Sequence, residues 1–92
     1  MPAFPMFVDL SQKSVLVVGG GQTAVQKLRA LEPFGPRLFV VAPDVDPVIE
    51  RMAEVTVRNR RYSSEDLDGM DMVIAATDDR ALNERVAADA GS

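Results

Sequence analysis

Ninety-two residues, 47% of them hydrophobic and 26% charged, suffice for one globular domain over residues 1–92 and not for two. The absence of Cys and His excludes a Cys/His zinc centre, a thiol nucleophile, an imidazole base and any disulfide, leaving acid–base work to Asp, Glu, Lys or Tyr. A net charge of −4 speaks against a nucleic-acid partner, and no apolar run approaches the ~20 residues that span a bilayer.

Residues 1–10 include Pro2, Pro5 and Asp9 and carry neither the basic leader nor the unbroken apolar run of a secretory signal, so cytoplasm is the expected location. Ser14-Val-Leu-Val-Val-Gly19 is a continuous β-branched run ending in glycines, which predicts a strand buried on both faces. Residues 22–31 then place Ala24, Val25, Leu28 and Leu31 at helical spacing, opposite Gln22, Gln26, Lys27 and Arg29. Pro33, Gly35 and Pro36 end that helix, and residues 38–42 repeat the strand pattern, completing a strand–helix–strand unit.

Asp46 followed by Pro47 predicts the cap and first position of a short second helix, with Val48, Ile49, Met52 and Ala53 as its buried side. Val55-Thr-Val57 reads as a brief third strand, followed by the basic run Arg58, Arg60 and Arg61, which Tyr62 closes. Residues 63–68 predict one helical turn ended by Asp68-Gly69, and residues 72–76 a fourth buried strand. Ala81, Leu82, Val86 and Ala90 mark one side of a last helix, with Thr77 or Asp78 as its expected cap. This alternation predicts an α/β fold: a Rossmann-like parallel sheet of order 3-2-1-4 with helices on both faces. The fourth strand is then an edge that needs covering, and a chain this short has a thin margin of stability unless a ligand or partner adds contacts.

Gly19-Gly20-Gly21-Gln22-Thr23-Ala24 fits G-x-G-x-x-A, between a buried strand and an amphipathic helix, as a dinucleotide-phosphate turn requires. Gly19 permits the tight turn, Gly21 lets the backbone approach a pyrophosphate, Ala24 keeps helix and sheet close, and the N–H groups of Gln22 and Thr23 face the phosphates. A glycine-rich turn that binds nothing is the alternative. After the second strand, Ala42-Pro43-Asp44 offers Asp44 for the adenosine ribose hydroxyls, or merely as the start of a turn while Asp46 caps the next helix. With no Arg or Lys between Ala42 and Glu50, NAD is favoured over NADP. Thr77, at the end of Ala75-Ala76-Thr77-Asp78-Asp79, either reaches a ribose or phosphate or is only part of a helix cap. The arginines either meet an acidic substrate or form a solvated strand end.

Three segments together resemble one family. Pro5-Met-Phe-Val-Asp-Leu10 precedes the first strand, Val17-Val-Gly-Gly-Gly21 leads to Ala24 and Lys27, and Ile74-Ala-Ala-Thr-Asp-Asp79 precedes Asn83, Arg85 and Val86. The combination covers essentially the whole chain and is similar to the amino-terminal domain of siroheme synthases, including standalone precorrin-2 dehydrogenases. The resemblance implies NAD-dependent oxidation of the tetrapyrrole precorrin-2 to sirohydrochlorin, ferrochelatase activity in some members, and homodimers. It makes Gln22, Thr23, Pro43 and Asp44 cofactor positions, with Gly19, Gly21 and Thr77 as neighbours; no metal site is expected in a chain without Cys and His. Thr23 and Gln26 depart from the Val and Arg usual in the family. The family's catalytic Asp follows the next strand, in an Asn-Val-Val-Asp-like stretch that these residues do not reach, and its dimerisation segment lies beyond them too. No Asp present takes that role by position, so no catalytic residue is assigned. The chain is expected to be part of a longer enzyme and to bind NAD without turning precorrin-2 over by itself. The other reading is a non-catalytic NAD-binding or sensing module.

Overall fold

The computed structural model describes residues 9–91, so residues 5–8 of the first family segment lie outside it. Four parallel strands, β1 (Ser14–Val18), β2 (Arg37–Val41), β3 (Val55–Arg58) and β4 (Met72–Ala75), form one sheet in the order β3-β2-β1-β4. The register pairs Val18 with both Val41 and Ala75, so the carboxyl ends of the three strands around β1 lie level at one edge. The connecting helices are α1 (Gln22–Leu31), α2 (Pro47–Glu50) and α3 (Arg80–Ala90).

Alternation along β1 divides the core in two. Val15 and Val17 pack with Ala24, Val25 and Leu28 of α1, with Ile49 of α2, and with Leu38 and Val40. Leu16 and Val18 face the other way, toward Val86 of α3, Val41 and Tyr62. Every residue of β1 is buried, as a central parallel strand covered by helices on both faces must be. Each large aliphatic side chain so enclosed contributes roughly 1.5–3 kcal/mol, enough in sum to fix the ends of the strands that carry the site.

Helix limits follow from local chemistry. Asp46 caps α2 by accepting from the Val48 N–H at 2.8 Å, with Pro47 in the first position. After Leu31 the chain makes a 3₁₀ turn over Glu32–Phe34, and Gly35 takes the left-handed φ of 74° that turns it into β2.

Three expectations need correction. The cap of α3 is Asp79, whose Oδ1 accepts from the Leu82 N–H at 3.1 Å, because the turn after β4 runs one residue further than Asp78. Ala53, Ala81 and Ala90 are exposed, so the buried sides of α2 and α3 are narrower than the apolar pattern drew them. β4 is not buried: Met72 and Ala75 are exposed and Val73 and Ile74 half-covered, since β4 is a sheet edge and only β1 pairs with it.

Candidate functional site

The three glycines after β1 answer to different neighbours. Gly19 has φ 136°, and a Cβ there would stand 2.3 Å from the carbonyl oxygen of Ala76, beyond β4. A Cβ on Gly20 would stand 2.2 Å from the carbonyl oxygen of Asp44, and the Gly20 carbonyl accepts from the Asp46 N–H at 2.7 Å. The turn is therefore pressed between the loops that follow β2 and β4, and only glycine fits. Gly20 occupies the unrestricted position of the motif, so pattern matching passed over it; the run of three glycines was the available signal.

Gly21 differs from both, because a Cβ there would meet no atom within 4 Å. Protein packing does not require this glycine. It is the N-cap of α1, no side chain caps that helix, and the first main-chain bond α1 receives runs from the Val25 N–H to the Gly21 carbonyl at 3.0 Å. The N–H groups of the exposed residues Gln22 and Thr23 thus stand at the positive end of a ten-residue helix dipole with open space before them. A backbone surface of this kind accepts an anion, and a phosphate fits the space that a side chain at residue 21 would fill.

The second wall is the loop after β2. Asn59 holds it by donating from Nδ2 to the carbonyls of Ala42 at 3.3 Å and Pro43 at 3.2 Å, a role that nothing in the sequence signalled. Asp46 is the helix cap, and its other oxygen accepts a long bond of 3.4 Å from Gln22 Nε2. Asp44 is exposed beside the turn, and its carboxylate has no hydrogen-bond or ion-pair partner among the described residues. The two aspartates that compete in the sequence are in this way separated by role.

The third wall follows β4. Thr77 Oγ1 donates to Asn83 Oδ1 at 2.6 Å and accepts from the Asp79 N–H at 3.1 Å, while Asn83 Nδ2 returns a bond to the Thr77 carbonyl at 2.9 Å. The single proton of the Thr77 hydroxyl has two acceptors within its own turn, Asn83 Oδ1 and, at 3.1 Å, the Asp79 carbonyl oxygen, so Thr77 shapes the cleft while closing that turn. Gly19, Gly21, Gln22, Thr23, Pro43, Asp44 and Thr77 all line one cleft of about 540 Å³, within the roughly 300–1,000 Å³ usual for small-molecule sites. Val18, Val41, Tyr62, Ala76 and Leu82 add an apolar floor.

The basic run lies elsewhere. Arg58 and Arg60 both bind Asp66, a buried carboxylate that also accepts from the Ser63 N–H at 2.8 Å, and Arg58 lies over the Phe39 ring at 5.2 Å. Burial pushes the Asp66 carboxyl up, but Arg60, the Ser63 N–H and Arg58 outweigh it and hold the group below its ordinary value. These two arginines anchor the segment after β3, and no arginine is among the residues lining the cleft.

A parallel sheet whose first strand opens through a glycine turn into an uncapped helix, with an acidic loop and a small-residue loop beside it, defines a dinucleotide-binding Rossmann domain. The chain belongs to the NAD(P)-binding family NAD_binding_7, whose model matches residues 6–92. It is 44% identical over 91 residues to a siroheme synthase of Ectopseudomonas mendocina (strain ymp), an alignment covering 98% of this chain and 20% of that protein. With a siroheme synthase of Pseudomonas entomophila (strain L48) the identity is 47% over 95 residues, again 98% of this chain and 20% of the relative. The solved structure of SirC, a precorrin-2 dehydrogenase, superposes with a TM-score of 0.81 at 32% identity, covering 92% of this chain and 44% of that one. The chain thus spans about a fifth of the length of these curated relatives. Among the described residues no helix is long and apolar enough to cross a membrane.

Proposed function

We propose that this chain is the NAD-binding domain of a siroheme-biosynthesis enzyme, a precorrin-2 dehydrogenase that oxidises precorrin-2 to sirohydrochlorin. The observation that carries the cofactor half of this reading is Gly21, a position that packing leaves free and that stands at the bare N-terminus of α1. The tetrapyrrole half rests on the relatives, which are named for siroheme synthesis and precorrin-2 dehydrogenation. Those names favour the enzyme over a sensing module.

In this reading the N–H groups of Gln22 and Thr23 bind the pyrophosphate, and Gly19 and Gly21 leave it room. Asp44 accepts hydrogen bonds from the adenosine ribose hydroxyls, Pro43 stiffens the loop that presents it, and Thr77 borders the far side. When bound, the nicotinamide supplies the hydride acceptor. What this chain contributes is orientation: it fixes the cofactor at the edge of the sheet, where a substrate held by the rest of the enzyme meets it. The acid–base group and the dimer contacts come from beyond these 92 residues, and the parent enzyme works as a cytoplasmic homodimer. NAD is preferred over NADP because Asp44 repels a 2′-phosphate and Arg58 and Arg60 are committed to Asp66.

Calorimetric titration with both cofactors tests the binding half, with NAD⁺ expected to bind at least about tenfold more tightly, the equivalent of one bidentate contact or repulsion. Tighter binding of NADP⁺ would overturn the role of Asp44. Following NADH formation with enzymatically made precorrin-2 tests the catalytic half. This chain is expected to give no measurable turnover and a version extended to the full length of its relatives to give it, since a positioned proton-transfer group is worth ~10²–10⁴-fold. Equal turnover by the two would place the catalytic group within residues 1–92.

A further inference from the structure

The apolar floor of the cleft has no role in holding phosphate or ribose. Val18, Val41, Tyr62 and Leu82 line the cleft and also belong to the hydrophobic cluster on the α3 face of the sheet. Of these only Tyr62 has a polar side-chain group, and the residue is 7% exposed. Its hydroxyl donates to Asp89 Oδ2 at 2.8 Å, the Arg85 guanidinium lies 5.3 Å from its ring centroid, and Arg85 Nε stands 3.8 Å from the same Asp89 oxygen. Burial, followed by the bond to Asp89, pushes the Tyr62 phenol up to about 12, so it remains a neutral donor at ordinary pH. Two residues one turn apart on α3 thereby fix an aromatic ring that reaches the cleft from the segment after β3. A ring immobilised before a ligand arrives loses little further freedom on contact, which is the physical basis of preorganised binding.

A dinucleotide with its pyrophosphate on α1 and a ribose at Asp44 has one planar, largely apolar group beyond that ribose. We propose that Tyr62, held by Asp89 and Arg85, is the contact for the adenine ring, and that Asp89 is the positioning residue that sets it. The proposal rests on the NAD-binding reading above and extends it to the purine end of the ligand. A phenylalanine would fill the same apolar volume, whereas the hydroxyl bound to Asp89 adds a fixed direction for the ring.

The chain has one Tyr and no Trp, so its intrinsic emission reports this ring alone. The test titrates the 92-residue chain with NAD⁺, AMP and nicotinamide mononucleotide, corrects for nucleotide absorbance with free tyrosine, and measures affinities by calorimetry in parallel. NAD⁺ and AMP are expected to quench the emission saturably, and nicotinamide mononucleotide to leave it unchanged. Tyr62→Leu, its fold checked by circular dichroism, is expected to weaken NAD⁺ binding by about tenfold, as loss of a base–aromatic contact does. Asp89→Ala is expected to weaken it less and Asp89→Asn, which keeps an acceptor, to restore it. Quenching by nicotinamide mononucleotide with AMP silent, NAD⁺ binding without quenching, or undiminished affinity in Tyr62→Leu would each overturn the proposal. If neither NAD⁺ nor NADP⁺ binds the unaltered chain by calorimetry, the reading on which it rests falls instead.

Discussion

β1 and β4 are neighbours in the sheet, and each hands the chain to a helix at the same edge, yet the two turns are built on opposite plans. After β4, side chains satisfy the new helix from within: Asp79 caps α3, and Thr77 and Asn83 lock the turn with three bonds of 2.6–3.1 Å. After β1, no side chain does so. Glycines bring the backbone against two other loops, and the first N–H groups of α1 stand bare. The difference separates a closed connection from a turn able to receive an anion. A helix end that completes its own hydrogen bonds offers a ligand nothing, and one left incomplete keeps both its donors and its dipole available.

Breaking the glycine turn itself carries the largest expected effect. Gly20→Ala places a Cβ 2.2 Å from the Asp44 carbonyl oxygen, a backbone atom that cannot move without shifting the loop. A loss of about 3 kcal/mol or more is expected from such an overlap, read from urea denaturation, and cofactor binding should fail with the fold. An unchanged denaturation midpoint would show that the loops do not press on the turn.

Gly21→Asp makes the first turn resemble the second. It gives α1 the side-chain cap that Asp79 gives α3, so stability should stay level or rise by a few tenths of a kcal/mol. NAD⁺ affinity should nevertheless fall by at least about tenfold, because a carboxylate would occupy the phosphate's place. Calorimetry and denaturation on the same preparation separate the two effects, and a parallel loss of both would mean that Gly21 serves the fold.

The converse change, Asp79→Ala, removes the cap of α3 and should cost about 1 kcal/mol in thermal or urea unfolding. NAD⁺ affinity should remain within about twofold, well below one tenfold step. A large loss of binding would make the second turn part of the phosphate site after all.

A last effect appears only in alkali. The raised pKa of Tyr62 means that the unfolded chain loses its phenolic proton first, near pH ~10, and the folded chain only near about 12. Stability from this group is therefore full below pH ~10 and is lost as the pH rises toward the folded value. Tyr62→Phe should lack this alkaline loss while behaving like the parent chain in pH-dependence elsewhere. Identical alkaline profiles for the two would show that the phenol is not buried against Asp89.

Much of this was legible because it is local. The run before Gly19 is apolar on both faces, Ala24, Val25 and Leu28 recur at helical spacing, and Asp46-Pro47 is a cap followed by its natural successor; each signal lies within a few residues, and the structure agrees with each. Parallel topology then brings every strand's carboxyl end to one edge. Residues as distant as Gly19, Asp44 and Thr77 therefore line the same cleft without any contact having been foreseen. β4 misled for the opposite reason: its apolar run is that of a buried strand, but burial depends on what lies beside it.

The amino-acid sequence by itself thus determined the sheet order, the glycine turn after β1 and the set of residues at its edge, because periodicity and glycine spacing act over one turn of helix or one strand. Only the tertiary structure decided that Asp44 stays open, that Gly20 is held by the Asp44 loop, that Arg58 and Arg60 serve Asp66, and that Tyr62 lines the cleft with its hydroxyl bound to Asp89. Those outcomes hang on distances between segments up to 27 residues apart, and a contact of that kind exists only once burial has made an unpaired polar group costly enough to select its partner.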